Sequence, residues 1–125
     1  MRVAIVGSRR RAADADRALV FEVVRRLVDM FGETNLHIVS GGCKTGADQF
    51  AKEAAEFFSL PFTEHLPYKI EPKTYWEAVT MLQARNEVVI LDCDIVFALI
   101  AADRKGGTEN ALKHAEKHGK PSYLV

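Results

Sequence analysis

Six consecutive residues, IVFALI at positions 95–100, are apolar with no alternation. A strand with one wet face alternates apolar and polar side chains. An unbroken apolar run of this length fits a strand covered on both faces. Two layers of helix are then needed, and parallel strands joined by right-handed crossover helices provide them.

The rest of the chain keeps to that plan. Residues 2–6 (RVAIV) are a short β-branched run ended by Gly7. From Asp14 to Phe31 the apolar residues Val20, Val23, Val24, Leu27, Val28 and Phe31 recur at helical spacing, and Gly32 stops them. Residues 36–39 (LHIV) predict a second strand, followed by SGGCKTG. A second helix begins near Gly46 and buries Ala47, Phe50, Ala51, Ala54, Ala55 and Phe58, with Thr45 and Asp48 spaced as a shortened capping box. Residues 62–66 form a third strand and residues 67–73 a polar loop. Thr74 and Glu77 then cap a helix from about Tyr75 towards Asp92, with room for a break in its middle. A last helix, residues 108–118, is stopped by Gly119 and Pro121, and residues 122–125 close the sheet. The expectation is one Rossmann-like α/β domain over residues 1–125. It has three layers: a five-stranded parallel sheet in the order 3-2-1-4-5, with helices on both faces.

At 125 residues the chain suits one such core. Its 17 Lys and Arg balance 17 Asp and Glu, so no global field draws it to nucleic acid or membrane, and nucleic-acid binding would need a local patch. Met1 leads directly into a strand and no apolar stretch approaches a membrane span, which predicts a cytoplasmic protein. Cys43 and Cys93 lie far apart without metal-ligand spacing, so two reduced thiols and no metal or cofactor are expected.

In open parallel sheets ligands bind beyond the carboxyl ends of the strands, and three such loops here have unusual chemistry. The first is Gly7-Ser8-Arg9-Arg10-Arg11. Cations at a helix N-terminus are disfavoured by about 0.3–1 kcal/mol each, so three arginines there imply either a shared anion or pairing with Asp14 and Asp16. The second is Ser40-Gly41-Gly42-Cys43-Lys44-Thr45-Gly46-Ala47-Asp48. Three glycines in six residues exceed what a turn needs and allow a phosphate close to the backbone. Cys43 and Ile38 stand where a Walker loop needs glycine, and the first loop lacks the GxGxxG of a nicotinamide site. The third is Asp103-Arg104-Lys105-Gly106-Gly107-Thr108-Glu109, in which Thr108 has the chemistry of an N-cap and Glu109 that of a first-turn acid.

A fourth element lies on the third helix. Its apolar stripe of Val79, Leu82 and Val89 is interrupted by Arg85 and Asn86. A guanidinium on a core-facing stripe must be paired or face a pocket, unless the helix breaks and turns Arg85 to solvent.

Together, Gly7-Ser8-Arg9, Val39 to Gly42 with Gly46-Ala47-Asp48, Arg85-Asn86 and Gly106-Gly107-Thr108 resemble the YspA/YpsA-related branch of the SLOG superfamily. That superfamily also holds the LOG (lysine-decarboxylase-like) phosphoribohydrolases and the Smf/DprA proteins. The resemblance implies a Rossmann-like domain that binds or senses a nucleotide or nucleotide-derived phosphate ligand, and a homodimer. Its ligand would be held by Gly7, Ser8 and Arg9; by Ser40, Gly41, Gly42, Lys44, Gly46 and Asp48; by Arg85 and Asn86; and by Gly106, Gly107 and Thr108.

The relatives imply two alternatives. By similarity to LOG enzymes, Arg85 would hold phosphate or ribose and Glu109 would serve the cleavage of an N-glycosidic bond in a nucleoside monophosphate. The chain departs from that pattern, because Asp103-Arg104-Lys105 replaces the proline approach and one residue before the threonine is missing. By similarity to DprA, single-stranded DNA would use Arg9 to Arg11, Lys69, Lys73, Tyr68 and Tyr75. The last helix with Gly119-Lys120-Pro121 also resembles nucleoside deoxyribosyltransferases, whose glutamate attacks the sugar.

Overall fold

A computed structural model describes residues 1–67 and 71–125. Tyr68 and Lys69, named above for DNA, fall outside the described residues. The elements are β1 (Arg2–Gly7), α1 (Asp14–Phe31), β2 (His37–Gly41), α2 (Ala47–Phe57), β3 (Phe62–His65), α3 (Tyr75–Leu91), β4 (Ile95–Leu99), α4 (Gly107–Lys117) and β5 (Ser122–Leu124), with a 3₁₀ turn at Glu33–Asn35. The five strands are parallel in the order β3-β2-β1-β4-β5, so the chain is the expected Rossmann-like α/β sheet.

Alternation along the central strands builds two cores. Val3 and Ile5 of β1, Ile38 of β2 and Leu99 of β4 meet Val20, Val24 and Leu27 of α1 and the alanine-rich face of α2. Ala4, Val6, Val39, Val96 and Ala98 point the other way, onto Val89 and Ile90 of α3 and Ala111 and Ala115 of α4. β4 is therefore covered on both sides, which is why its sequence shows no alternation. Each fully buried Val, Ile or Leu contributes about 1.5–3 kcal/mol. Among the described residues, no helix is long and apolar enough to cross a membrane. Both cysteines are free thiols, and burial pushes that of Cys93 up to about 11.

Three local expectations are corrected. α3 runs unbroken from Tyr75 to Leu91, so Arg85 is not turned away by a kink. Neither Thr45 nor Thr108 caps a helix. The residues in cap position are Gly46 at φ 73° and Gly106 at φ 113°, conformations open to glycine, and Thr108 is buried inside the first turn of α4. At α3 the capping is as expected for Thr74, whose Oγ accepts from Glu77 N–H at 3.1 Å, but the Glu77 carboxylate accepts from Lys73 N–H instead of from Thr74.

Candidate functional site

β1, β2 and β4 end side by side, and their loops surround a cavity of about 310 Å³. That is the small end of the range for ligand pockets. It lies where the winding reverses between β1 and β4, the place open parallel sheets reserve for ligands.

Gly7, Ser8 and Arg9 form one wall. The approach is tight, since a Cβ on Gly7 would stand 2.6 Å from that of Ala47 and 2.9 Å from that of Leu99. Ser8 N–H donates to Leu99 O at 2.9 Å, and Ser8 Oγ accepts from Arg10 N–H at 3.2 Å, which holds the turn. The three arginines divide their work. Arg11 bonds Asp16 at 2.7 Å and donates to Ile100 O and Val125 O, so it fastens the loop to the sheet. Arg10 is clamped by both oxygens of Asp103, at 2.7 and 2.9 Å, and that pairing holds the Asp103 carboxyl below its usual range. Arg9 lines the cavity, exposed, with no ion pair among the described residues.

The β2–α2 loop is shaped by Asp48. Its Oδ2 accepts from Cys43 N–H at 3.1 Å, while Oδ1 lies 2.9 Å from Ser40 Oγ, which is itself 2.8 Å from Ile5 O. One hydroxyl proton cannot serve both Ile5 O and a carboxylate oxygen fully. Burial pushes the Asp48 carboxyl up, against the opposing pull of the hydrogen bonds donated by Ser40 Oγ and Cys43 N–H and of the Arg85 charge. Asp48 and Gly41 line the cavity, as does Cys43; Ser40, Gly42, Lys44 and Gly46 do not. Ser40 and Gly46 instead build the loop from behind, and Lys44 extends from the surface.

The side wall comes from α3. Arg85 is half-buried, with no carboxylate at ion-pair distance among the described residues, and its guanidinium rests against Gly41. Asn86 accepts from Arg85 Nε at 3.3 Å, and its amide donates to Gly107 O and Asn110 Oδ1, both at 3.3 Å. It thereby ties α3 to the start of α4, where Gly106, Gly107 and Thr108 close the cavity with the N-terminal N–H groups of that helix. Lys105 adds a cation at the rim, and Val6, Leu82, Val89 and Ala111 give an apolar floor. The site thus combines cations, helix-terminal donors and an apolar surface, the chemistry that holds an anion joined to a flat apolar group.

Glu109 stands apart. Its carboxylate takes three hydrogen bonds from Arg104, at 2.9 to 3.2 Å, and it is not among the residues lining the cavity. Sequence reasoning passed over Cys43 and Lys105 as lining residues. Each sits inside a loop singled out for its glycines, which was the available signal.

No family model matches the sequence, and no curated protein matches it either. Solved structures do resemble it. DNA processing protein A of Helicobacter pylori, described for its single-stranded DNA binding mode, has a TM-score of 0.70 and 23% identity over 99% of this chain and 64% of its own. The molybdenum cofactor carrier protein of Chlamydomonas reinhardtii has a TM-score of 0.71 and 20% identity over 98% of this chain and 74% of its own. TM1055, a structural genomics target, has a TM-score of 0.68 and 18% identity over 97% of this chain and 71% of its own. The chain thus spans somewhat under two thirds of the Helicobacter protein. At these identities the likeness is one of fold alone.

Proposed function

We propose that this chain is a single nucleotide-binding domain of the YspA/YpsA-related SLOG branch. The observation that carries the reading is Arg85: a guanidinium held in a half-closed cavity, without an ion-pair partner among the described residues, beside the N-terminus of α4. An unpaired charge at such a position is costly unless an anion completes it. The phosphate would sit among Arg85, Arg9 and the N–H groups at Gly106 to Thr108, with Asn86 towards the ribose and the apolar floor beneath the base. The cavity volume suits one nucleotide unit better than a dinucleotide. The resemblance also implies a homodimer, and the oligomer can be read by sedimentation of the purified chain.

Cleavage of a nucleoside monophosphate is the second reading. It requires Glu109 to leave Arg104 and turn inward. A third reading, single-stranded DNA, draws on the Helicobacter protein and on Tyr75 and Trp76, both 73% exposed at the start of α3.

A thermal-shift panel of nucleotides tests the binding reading, because a ligand at one hundred times its dissociation constant stabilises the fold by about 2.7 kcal/mol. Stabilisation by a nucleoside monophosphate with no free base on chromatography supports binding alone. Base release selects the hydrolase, and salt-dependent retention of an oligonucleotide selects the third reading. No shift with any nucleotide overturns the proposal.

A further inference from the structure

Away from the cavity, on the C-terminal halves of α3 and α4, three ligating side chains converge. His114 and His118 stand four residues apart, so they share one face of α4, His118 being the residue that ends it. Glu87 of α3 faces them. Its Oε2 lies 2.9 Å from His114 Nδ1 and 3.7 Å from His118 Nε2, and one ligand atom from each of the three residues falls within 4.8 Å of the others. In a tetrahedral site with bonds of 2.0–2.1 Å, donor atoms are about 3.3 Å apart. Small side-chain rotations therefore bring these three to bonding distance.

A second observation singles out the cluster. His118 Nε2 is buried and has no hydrogen-bond partner, the one such side-chain atom among the described residues. Buried polar atoms are nearly always satisfied, and the separation of 3.7 Å from Glu87 is too long for a hydrogen bond. The cluster is still reachable, with side chains 20%, 25% and 36% exposed for His114, His118 and Glu87. Lys117, its ammonium 4.0 Å from Glu87 and largely exposed, can swing away.

We propose that Glu87, His114 and His118 form a binding site for a divalent transition metal, with zinc as the fitting ion and water in the fourth position. Two imidazole nitrogens and one carboxylate oxygen are donors of the hardness zinc accepts in four-coordinate sites; a calcium or magnesium site would be all oxygen. The metal replaces the close His114–Glu87 contact and gives His118 Nε2 its partner. It clips α4 to α3 just beyond Arg85 and Asn86, and the site does not depend on what the cavity binds.

The test uses untagged, chelator-stripped protein titrated with Zn²⁺ by calorimetry and with Co²⁺ by visible absorption. One metal per chain is expected, with four- or five-coordinate Co²⁺ bands and a raised melting temperature. His114→Gln, His118→Gln and Glu87→Gln should each weaken binding at least tenfold while leaving the metal-free circular dichroism unchanged. If a variant fails to fold, ring resonances of the unmodified protein give the answer: those of His114 and His118 should shift with metal while those of His37 and His65 stay. Absence of stoichiometric binding overturns the site. So does full affinity in the doubly substituted His114→Gln, His118→Gln protein, or a shift confined to His37 and His65.

Discussion

The guanidinium of Arg85 rests on the bare Cα of Gly41, so closely that a Cβ there would stand 2.7 Å from Nη1 and 2.8 Å from Cζ. The same Cβ would lie 2.8 Å from Asp48 Oδ2. Gly41 is therefore the floor on which the cavity's central cation is set. The glycine is needed for closeness; its φ is not in the left-handed region.

Gly41→Ala should displace the Arg85 guanidinium, which ends a flexible side chain, and press on the Asp48 carboxylate that holds the β2–α2 loop. Nucleotide affinity should fall by about tenfold, or roughly 1.4 kcal/mol, in a calorimetric titration. An unchanged affinity would detach Arg85 from binding.

Gly7→Ala makes the opposite kind of change. Its new Cβ meets Ala47 and Leu99, which belong to packed backbone elements and cannot swing aside. Overpacking of this sort costs about 1–3 kcal/mol, read from urea denaturation.

Asp48 gives a pH dependence with a definite sign. Burial raises its carboxyl, so between the ordinary aspartate value and the raised one the native state binds more protons than the unfolded chain. This group's contribution is thus present below the ordinary value and is lost as pH rises through the folded value. Asp48→Asn removes that loss, so its stability relative to wild type should climb as pH rises from the ordinary aspartate value through the raised one in urea melts. A difference that is flat or falls contradicts the assignment.

The layered sheet was legible because each strand and helix carries its own pattern. β4 announced burial on both faces, and the apolar positions of α1 marked its full span from Asp14 to Phe31. Helix entries were less legible. Thr45 and Thr108 have capping chemistry, but glycines with positive φ beside them take the cap position, and backbone angles leave no trace in a side-chain pattern. Asp48, expected as a ligand contact, lines the cavity while its oxygens take Ser40 Oγ and Cys43 N–H, and Arg11 pairs with Asp16, one of the partners the sequence offered it. The pairing of Arg10 was not legible, because its partner Asp103 stands 93 residues away in the sequence.

Glu109 separates binding from hydrolysis. While its carboxylate stays on Arg104, Glu109→Gln should leave the nucleotide dissociation constant unchanged and no free base should form with either protein. Base release by wild type that Glu109→Gln abolishes would establish the hydrolase instead.

The most direct test of the account is the dissociation constant of nucleoside monophosphates for wild type and Arg85→Gln. The account predicts that at least one monophosphate binds wild type, and that the substitution weakens it at least tenfold with the melting temperature of the free protein unchanged. Equal affinity in the two proteins, or no binding by wild type, would contradict it.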